Sequence, residues 1–568
     1  MLTSGVLALL WLLLRSGSKP SRLAYPCQQA AVGTAAAAFG APVVAALLVL
    51  RNRIMNVLWT MYASGGSARA KARGSLVRSS RRAEAHGSVV RSSARAKARG
   101  SLAGKTAAGA LGALAMVMLA IASVEPKDNV TILTPPDDYH PDVYLVNKAR
   151  GIEPGRYGGV DDLITLMGVS GLKWHRAGET GLTTGPDGLI DPDDVVLIKI
   201  NAQWPQRGGT NTDVLRGVIR RIVEHPDGFI GEIVVADNGQ GSGSFDRSDH
   251  NAEVHDQSTQ DVVNDFAAEG WNISTYRWDN IRYTLVNEYS TRDMTDGYVV
   301  NPVSDPETQI KVSYPKFRSA LGTYISYKHG VLSPATGTYE SDKLVVINIP
   351  VFKTHSIYAV TASVKNHMGV VTKELRTDSH NAVRRGGMGS VLAEVRMPDL
   401  TILDCIWILA RPGSGPSASY DNATRRDQLL ASTDPIALDM WATKFIMIPQ
   451  IIENGYAYDA YHTTQDPDNP DSVFRRYLDR SMNELLLAGI ATTNNVDAVD
   501  LHVWVGDLDR DGDVDKDDFS ETALCLAGPA DDVAGTDCED VDFDEDGDAD
   551  LADIAAFQRT FTGALLNR

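Results

Sequence analysis

Cysteine is scarce in this sequence, which contains four cysteines in 568 residues. Cys27, Cys405, Cys525 and Cys538 show no CxxC or comparable metal-ligand spacing. An iron–sulfur cluster held by this chain alone is therefore not expected. Cys405 stands in an apolar run and is expected to be a core residue.

The glycine motifs that bind nucleotides are also missing. Glycine-rich stretches occur at 208–209, 239–243 and 386–389, but none matches a Walker or dinucleotide fingerprint. Their backbone N–H groups could still approach an anion, because glycine has no side chain to keep a ligand away. The central region also shows no glycosidase pattern, and paired carboxylates cannot be assigned without geometry.

Acidic residues are nearly absent from one part of the chain, and basic residues are few in another. The formal net charge is −18, but residues 51–105 hold 13 Lys and Arg against one acid, whereas 505–568 hold 20 Asp and Glu against four basic residues. The content of apolar residues, 43%, is ordinary for a globular protein. Length and charge segregation together predict three regions with different partners.

The first region, 1–124, is predicted to anchor the protein in a membrane. The runs 31–50 and 106–124 contain no charged residue, and each is long enough to cross a bilayer core as a transmembrane helix. Between them lies a basic segment in which SARAKARGSL occurs at 67–76 and again at 93–102. Its like charges favour a disordered loop, which the positive-inside tendency places in the cytoplasm. The rest of the chain is then extracytoplasmic.

Residues 95–122 support a second interpretation of this region. A basic segment, an apolar run and a small-residue site also make up a cleavable signal peptide, so the mature protein could instead be secreted. The basic loop could bind nucleic acid or anionic lipid. A solvated cytoplasmic loop is favoured, and no nucleic-acid partner is expected.

The second region, 125–500, alternates short apolar runs with amphipathic stretches. Strands are predicted at 194–200, 230–236, 344–349 and 400–403, and helices at 212–225, 257–269 and 433–445. Thr212 is the predicted N-cap of the first of these helices. Alternation of strands and helices is typical of an α/β domain with a largely parallel sheet.

Polar residues cluster where these predicted strands end, which is where open α/β sheets bind ligands. The lysines would supply positive charge, His355 is a candidate general acid or base, and the aspartates are candidate metal or proton partners. Structural roles compete with these: a turn cap for Asp404, an ion pair for Lys199, and hydrogen-bonded histidines at 355 and 367. The candidate catalytic residues are Lys353, His355, Lys365 and Asp404, and the candidate ligand-binding residues are Lys199, Asn201, Asp237, Asn238, Asn366 and Asp434.

Six stretches carry a resemblance to a known family. They are LIKIN (197–201), VVADNG (234–239), VVINIPVFKTH (345–355), VTASVKNHMGVV (360–371), PDLTILDCIW (398–407) and LLASTDPIALD (429–439). Together they resemble the domain of unknown function 362, over roughly 145–450. The resemblance implies a polar functional site but no settled activity. Many relatives carry a ferredoxin-like cysteine cluster that this chain lacks, which puts a redox role in doubt.

The third region, 505–564, contains two acidic twelve-residue loops, 507–518 and 542–553. Aspartates stand at loop positions 1, 3, 5, 7, 9 and 12 and a glycine at position 6, the spacing with which oxygen ligands surround one Ca²⁺ ion. Helices are predicted to follow at 519–526 and 554–561. The predicted calcium ligands are Asp507, Asp509, Asp511, Asp513, Asp515 and Asp518 in one loop, and Asp542, Asp544, Asp546, Asp548, Asp550 and Asp553 in the other.

These loops resemble a type I dockerin, because position 12 is aspartate and no entering helices precede the loops. The resemblance implies a small α-helical calcium-loop domain that docks onto a cohesin-like partner. Folding of the tail is expected to depend on Ca²⁺, since the empty loops would crowd unneutralised carboxylates. Cys525 and Cys538 flank a Gly-Pro turn and could form a disulfide, which an extracytoplasmic location permits.

The sequence therefore predicts a membrane-anchored extracytoplasmic protein with two binding functions. Its central α/β domain would bind an anionic or metal-complexed small molecule, and its tail would bind calcium and a cohesin-like protein. The residues do not decide whether the central domain is an enzyme. The alternatives are a non-catalytic cell-surface scaffold or adhesion protein and a component of a polysaccharide-degrading enzyme system.

Overall fold

The computed structural model describes residues 130–151, 155–254 and 256–504, and in the tail residues 508, 516–526, 528, 533, 538, 541–543 and 547–560. Apart from Val130, these residues belong to one compact unit, 131–568. The region predicted to anchor the chain, 1–124, lies outside the described residues.

Strands and helices alternate through this unit. The strands are β1 (Asp142–Val146), β2 (His175–Arg176), β3 (Thr184–Gly185), β4 (Val195–Lys199), β5 (Glu232–Asp237), β6 (Ile273–Arg277), β7 (Gly297–Val300), β8 (Ser313–Arg318), β9 (Tyr324–Ser326), β10 (Gly330–Ser333), β11 (Thr338–Glu340), β12 (Leu344–Asn348), β13 (Val351–His355), β14 (Ala359–Thr361), β15 (Leu400–Leu409), β16 (Thr424–Ser432) and β17 (Asp500–Trp504). The α-helices are α1 (Gly158–Val169), α2 (Thr212–Val223), α3 (Thr259–Ala268), α4 (Ser363–Asn366), α5 (Ser379–Ala382), α6 (Gly387–Glu394), α7 (Pro435–Ala442), α8 (Ile448–Glu453), α9 (Tyr458–Tyr461), α10 (Val473–Leu487), α11 (Lys516–Cys525) and α12 (Leu551–Thr560).

The main sheet has the strand order β17-β1-β16-β15-β12-β4-β5-β6. Neighbouring strands are parallel except at β16, which is antiparallel to both β15 and β1. After β12 the chain passes Pro350 and continues as β13, which pairs with β15 and, in an antiparallel hairpin, with β14. The sheet is therefore mixed, and its parallel half, from β15 to β6, contains the four predicted strands.

Both faces of the parallel strands are buried, which explains their continuous apolar runs. Leu197 of β4 packs into one apolar cluster and Ile198 into another on the opposite face. Helices α1, α2 and α3 cover the Ile198 face. The other face is covered by α6, α7 and α10 and by the antiparallel sheet β7–β11.

Polar side chains fix the helix starts that face the strand ends. The side chain of Asn211, not the predicted Thr212, caps α2 by accepting the Asp213 N–H. The Asp434 carboxylate caps α7, and Pro435 occupies the first helical position as expected. These caps hold each helix immediately after a loop that leaves the sheet.

The predicted fold class, which combined transmembrane helices, an α/β domain and a dockerin-like tail, was wrong in that combination. In the part of the chain that the structure describes, no helix has both the length and the apolar character needed to cross a membrane. The predicted spans 31–50 and 106–124 fall outside it. The buried strands of the described sheet have at most ten residues, and the structure is a mixed α/β core with sheets. No finding shows that the tail is a dockerin.

The described part of the tail shares an apolar cluster with the main domain. Cys525 at the end of α11 forms a disulfide with Cys538. Phe543 and Phe557 are buried in an apolar cluster that is continuous with the α1–α3 face of the sheet. Lys148 also donates to the Asp542 carbonyl at 3.1 Å, so the tail packs against the domain that precedes it.

Candidate functional site

A polar cavity of about 80 Å³ lies at the carboxyl ends of β4 and β5 and along β13 and α4. Lining residues that the sequence did not predict include Trp204, Thr361, Gly369 and His380. Of the ten residues predicted for the central site, eight line this cavity: Lys199, Asn201, Asp237, Asn238, Lys353, His355, Lys365 and Asn366.

A buried ion pair forms one side of the cavity. Lys199 Nζ at the end of β4 lies 3.0 Å from Asp237 Oδ1 at the end of β5, and the side chains are 1% and 3% exposed. Burial lowers the pKa of Lys199 and raises that of Asp237, and each partner opposes the shift of the other. Asp237 Oδ2 also accepts the Ala202 N–H at 2.9 Å. The ion pair that was the structural alternative for Lys199 therefore forms part of the cavity itself.

Gly369 lies directly against this ion pair. A Cβ atom added there would stand 2.2 Å from Asp237 Oδ1 and 2.5 Å from Lys199 Nζ. The Gly369 carbonyl meanwhile accepts the N–H of Asn238 at 2.9 Å, which joins the segment after α4 to the end of β5. A side chain at 369 would therefore displace one of the two charges.

Lys353 is the most deeply buried cation of the cavity. The residue is 0% exposed, and its ammonium donates to the Gly208 carbonyl. Burial lowers its pKa well below the ordinary value for lysine, and the charge of Lys365 lowers it further. Asp237 and Asp404 act in the opposite direction at longer range. An anion beside Lys353 would remove most of the cost of charging it.

Lys365 on α4 faces the same cavity without an acceptor of its own. The residue is 8% exposed, and its Nζ stands 5.2 Å from the centre of the Tyr358 ring. Burial and then the charge of Lys199 lower its pKa to about 7. In the described part of the chain no carboxylate contributes to that shift, so this amine is poised between its charged and neutral forms at neutral pH.

His355 presents one defined tautomer. Its Nδ1 accepts the N–H groups of Ile357 and Tyr358 at 3.0 and 3.2 Å, so the ring proton is on Nε2. Burial, Lys365 and Lys353 lower its pKa, which keeps the imidazole neutral. His355 is therefore suited to donate a hydrogen bond to a ligand rather than to act as a strong acid.

Asp439 positions α4, and sequence reasoning missed it. Its two carboxylate oxygens accept the N–H groups of Ser363 at 2.7 Å and Val364 at 3.0 Å. Burial raises its pKa to about 7. The sequence did carry a signal for Asp439, since it is the single acidic residue in the otherwise apolar helix α7. A carboxylate buried in such a helix needs a hydrogen-bond partner.

Asp404 lies in a smaller neighbouring cavity rather than with the lysines. Its oxygens accept the N–H groups of Asn211 at 2.8 Å and Ile406 at 3.1 Å. Burial raises its pKa to about 6. Arg207 lines the same small cavity, with its guanidinium 4.1 Å from the centre of the Trp407 ring. The structure thus gives Asp404 the capping role that competed with a catalytic one.

Asp434 does not line the cavity, and it instead caps the start of α7. Its oxygens accept the N–H groups of Ile436, Ala437 and Thr493 and the hydroxyl of Thr492. Four donors occupy this carboxylate, so it is not available to a ligand of the cavity.

The glycine-rich stretches also have internal partners. The N–H groups of Gly239 and Gly241 donate to the carboxylate of buried Asp279, which occupies the position predicted for an anion. Gly386 adopts a φ of +87° and, like Gly389, packs against α10 too closely for a Cβ atom. In the 208–209 stretch, the Gly208 carbonyl accepts a hydrogen bond from the Lys353 ammonium group.

Two of the three asparagines that line the cavity, Asn238 and Asn366, stabilise its walls. Asn238 donates to the Tyr298 hydroxyl at 2.8 Å and to the Val371 carbonyl at 3.0 Å. Asn366 donates to the side-chain oxygen of Asn348 at 2.8 Å. Nearby His367 is fully buried, and Ser363 O lies 3.2 Å from its Nδ1. These contacts fix the backbone that carries the lysines.

Comparison with known proteins assigns one part of this site to a family. Residues 334–444 match the family described as Domain of unknown function (DUF362). This segment is a DUF362 domain. A thylakoid-associated protein of Synechocystis sp. is 35% identical over 112 residues, which are 19% of this chain and 34% of that protein. The chain thus matches about a third of the length of this curated relative. No solved structure matches significantly.

The DUF362 domain contributes only one wall of the cavity. Lys353, His355 and Lys365 lie within the matched residues, whereas Lys199 and Asp237 come from strands that precede them. The family comparison therefore confirms the predicted resemblance for 334–444. The wider span of 145–450 stays a prediction, and so does the dockerin-like tail.

The second tail loop brings three predicted calcium ligands together. Asp548, Asp550 and Asp553 each offer a ligand atom within 4.8 Å of the others. Asp542 Oδ2 accepts the Gly547 N–H at 3.0 Å, and Asp553 Oδ1 accepts the Phe543 N–H at 2.6 Å. The geometry suits a hard cation. Of the predicted ligands, Asp507, Asp509, Asp511, Asp513, Asp515, Asp544 and Asp546 lie outside the described residues.

Proposed function

We propose that the central domain binds a small anionic molecule in the lysine-lined cavity. The observation that carries this proposal is a charge imbalance: three buried amines, from Lys199, Lys353 and Lys365, face one carboxylate, Asp237. Asp237 neutralises Lys199 alone. Because an isolated charge is costly to bury, enclosed Lys353 is charged fully only when an anion joins it.

The hydrogen-bond donors of the cavity support an oxyanion rather than a halide or an apolar molecule. The Thr361 hydroxyl is buried without a hydrogen-bond partner among the described residues, and His355 holds its proton on the ring nitrogen that is not used by the backbone. Together with Lys353 they offer donors of three chemical types, as carboxylate and phosphate groups require. The cavity volume of about 80 Å³ limits the ligand part it encloses to a few heavy atoms.

Calorimetric titration of the full chain with small carboxylates and phosphate tests this proposal. We expect binding with proton uptake, because an anion beside Lys353 favours the charged form of that buried amine. Lys353→Met should weaken binding at least about tenfold, which corresponds to 1.4 kcal/mol. Lys444→Met, which removes an ion pair with exposed Asp468 on the surface, is the matched control. Unchanged affinity in Lys353→Met would refute the role of the cavity.

A second function, calcium binding by the tail, is favoured by the grouping of Asp548, Asp550 and Asp553. We infer that these residues hold one Ca²⁺ ion. Titration of the full chain with Ca²⁺ should show binding that Asp553→Asn weakens, whereas Asp138→Asn at an exposed position should leave it unchanged. Docking onto a cohesin-like partner and an extracytoplasmic location stay predictions, the latter supported by the disulfide between Cys525 and Cys538.

A further inference from the structure

The two unpaired lysines of the cavity differ in their surroundings. Lys353 is completely enclosed, and its Nζ is committed to the Gly208 carbonyl. Lys365 keeps 8% of its surface exposed in the cavity, and its Nζ has no hydrogen-bond acceptor among the described residues. One amine is thus held by a carbonyl, while the other lines the cavity without such a contact among the described residues.

We propose that Lys365 is a nucleophile that forms a Schiff base with an anionic carbonyl compound, such as a 2-oxo acid. This inference rests on the proposed function, since the acid group of the same molecule would be held by Lys353. The carbonyl carbon would then face Lys365. Both amines belong to the DUF362 domain and line the same cavity, Lys353 from β13 and Lys365 from α4.

The reaction needs no partner beyond the ligand. The lone pair of Lys365 Nζ forms a bond to the carbonyl carbon, and the C–O bond of that carbon breaks in a second step. The oxygen leaves as water, which carries the two protons of the amine, and a C=N bond remains. The Nε2–H of His355 and the Thr361 hydroxyl are the donors available to the carbonyl oxygen.

The environment of Lys365 favours this reaction over attack by another lysine. Only an unprotonated amine is a nucleophile, and neighbouring cations with burial are the usual means of producing one. Burial and the charge of Lys199 lower the pKa of Lys365 to about 7, which makes the unprotonated amine far more abundant at pH 7 than in an ordinary lysine. An ordinary lysine with a pKa of about 10.4 is unprotonated about once in 2,500 molecules at that pH. Lys199 is excluded by its ion pair with Asp237.

Reductive trapping on the full chain tests the inference. The protein is incubated at pH 7 with glyoxylate or pyruvate and cyanoborohydride, and modified lysines are located by peptide mass spectrometry. We expect the adduct at Lys365 to exceed that at exposed Lys373 by at least about tenfold, from the difference in unprotonated fraction. Lys365→Met should lose this adduct, while Lys353→Met should lower its yield because the acid group is no longer held.

The outcomes separate this inference from the function on which it rests. If calorimetry shows that glyoxylate binds but trapping leaves Lys365 unmodified, the Schiff base is refuted and anion binding stands. Equal labelling of Lys365 and Lys373 would also refute it, since that is the behaviour of an ordinary surface amine. If no small anion binds at all, both proposals fail.

Discussion

Asp237→Asn is the substitution that most directly tests the electrostatics of the cavity. It removes the charge that faces Lys199 at 3.0 Å and keeps an oxygen that can accept the Ala202 N–H. Shape and hydrogen bonding therefore change little. Lys199, at 1% exposure, is left with no opposite charge in contact.

The expected loss of stability follows from the two states open to the orphaned lysine. A buried charge that loses its partner costs about 3–5 kcal/mol. Loss of the proton at pH 7 costs about 4.6 kcal/mol, which is 1.36 kcal/mol for each unit below an ordinary pKa of about 10.4. The form of Lys199 with the lower free energy determines the loss, so we expect the free energy of unfolding to fall by about 3–5 kcal/mol.

The pH dependence of this loss identifies its cause. In the variant the folded-state pKa of Lys199 lies below its unfolded value, so the unfolded chain binds more protons and stability rises with pH between the two values. The deficit relative to the unmodified protein should therefore shrink between pH 7 and 9, by at most about 1.4 kcal/mol per unit. Urea unfolding followed by tryptophan fluorescence measures it.

A double variant provides the control. Lys199→Met with Asp237→Asn leaves no buried charge, and we expect it to recover most of the stability that the single change loses. A loss below about 1 kcal/mol in Asp237→Asn, or a loss that is the same at pH 7 and 9, would contradict the reasoning, because either result means that Lys199 is not buried with its charge.

Three further results are expected. Gly369→Ala should destabilise the domain by about 2 kcal/mol or more, because its Cβ would meet the Lys199–Asp237 pair. Thermal unfolding measures this loss, and Gly178→Ala at an exposed position is the neutral control, because no atom lies within 4 Å of its Cβ. Reduction of the Cys525–Cys538 disulfide, which spans 13 residues, should lower the stability of the tail by about 3 kcal/mol, as shown by proteolysis with and without reductant. The affinity for phosphate, which has no carbonyl group to react with Lys365, should fall as the pH rises through about 7, where Lys365 loses its proton among Lys199, Asp237, Lys353, His355 and His380. Titrations at pH 6 and 8 check this, and a profile unchanged in Lys365→Met would contradict it.

The location of the site followed from the sequence because strand ends in a parallel sheet are predictable. Lys199, Asp237 and Lys353 each stand at or just beyond an apolar run, and the carboxyl ends of adjacent parallel strands meet at one edge. The helix cap at Asp434 was assigned instead to the ligand site, because capping and ligand residues both occur at such edges. Only the contacts of its oxygens separate the two roles.

The glycine-rich stretch at 239–243 shows why an anion site could not be predicted from composition. Glycines allow close approach, but which group approaches depends on the rest of the fold. Here the carboxylate of Asp279, 38 to 40 residues further along the chain, occupies the N–H groups. Asp439 likewise reaches Ser363 across 76 residues, a pairing that no local pattern contains.

The sequence by itself determined the strands and helices of the parallel half, the residues at their ends and the acidic loop spacing, because these depend on short-range periodicity and backbone preference. The tertiary structure decided the rest. It placed Lys353 and Lys365 in one cavity with a single carboxylate beside them, turned β16 antiparallel, and directed Asp404 and Asp434 to backbone N–H groups. Charge balance and burial depend on residues far apart in the chain, and so they become visible only when the chain is folded.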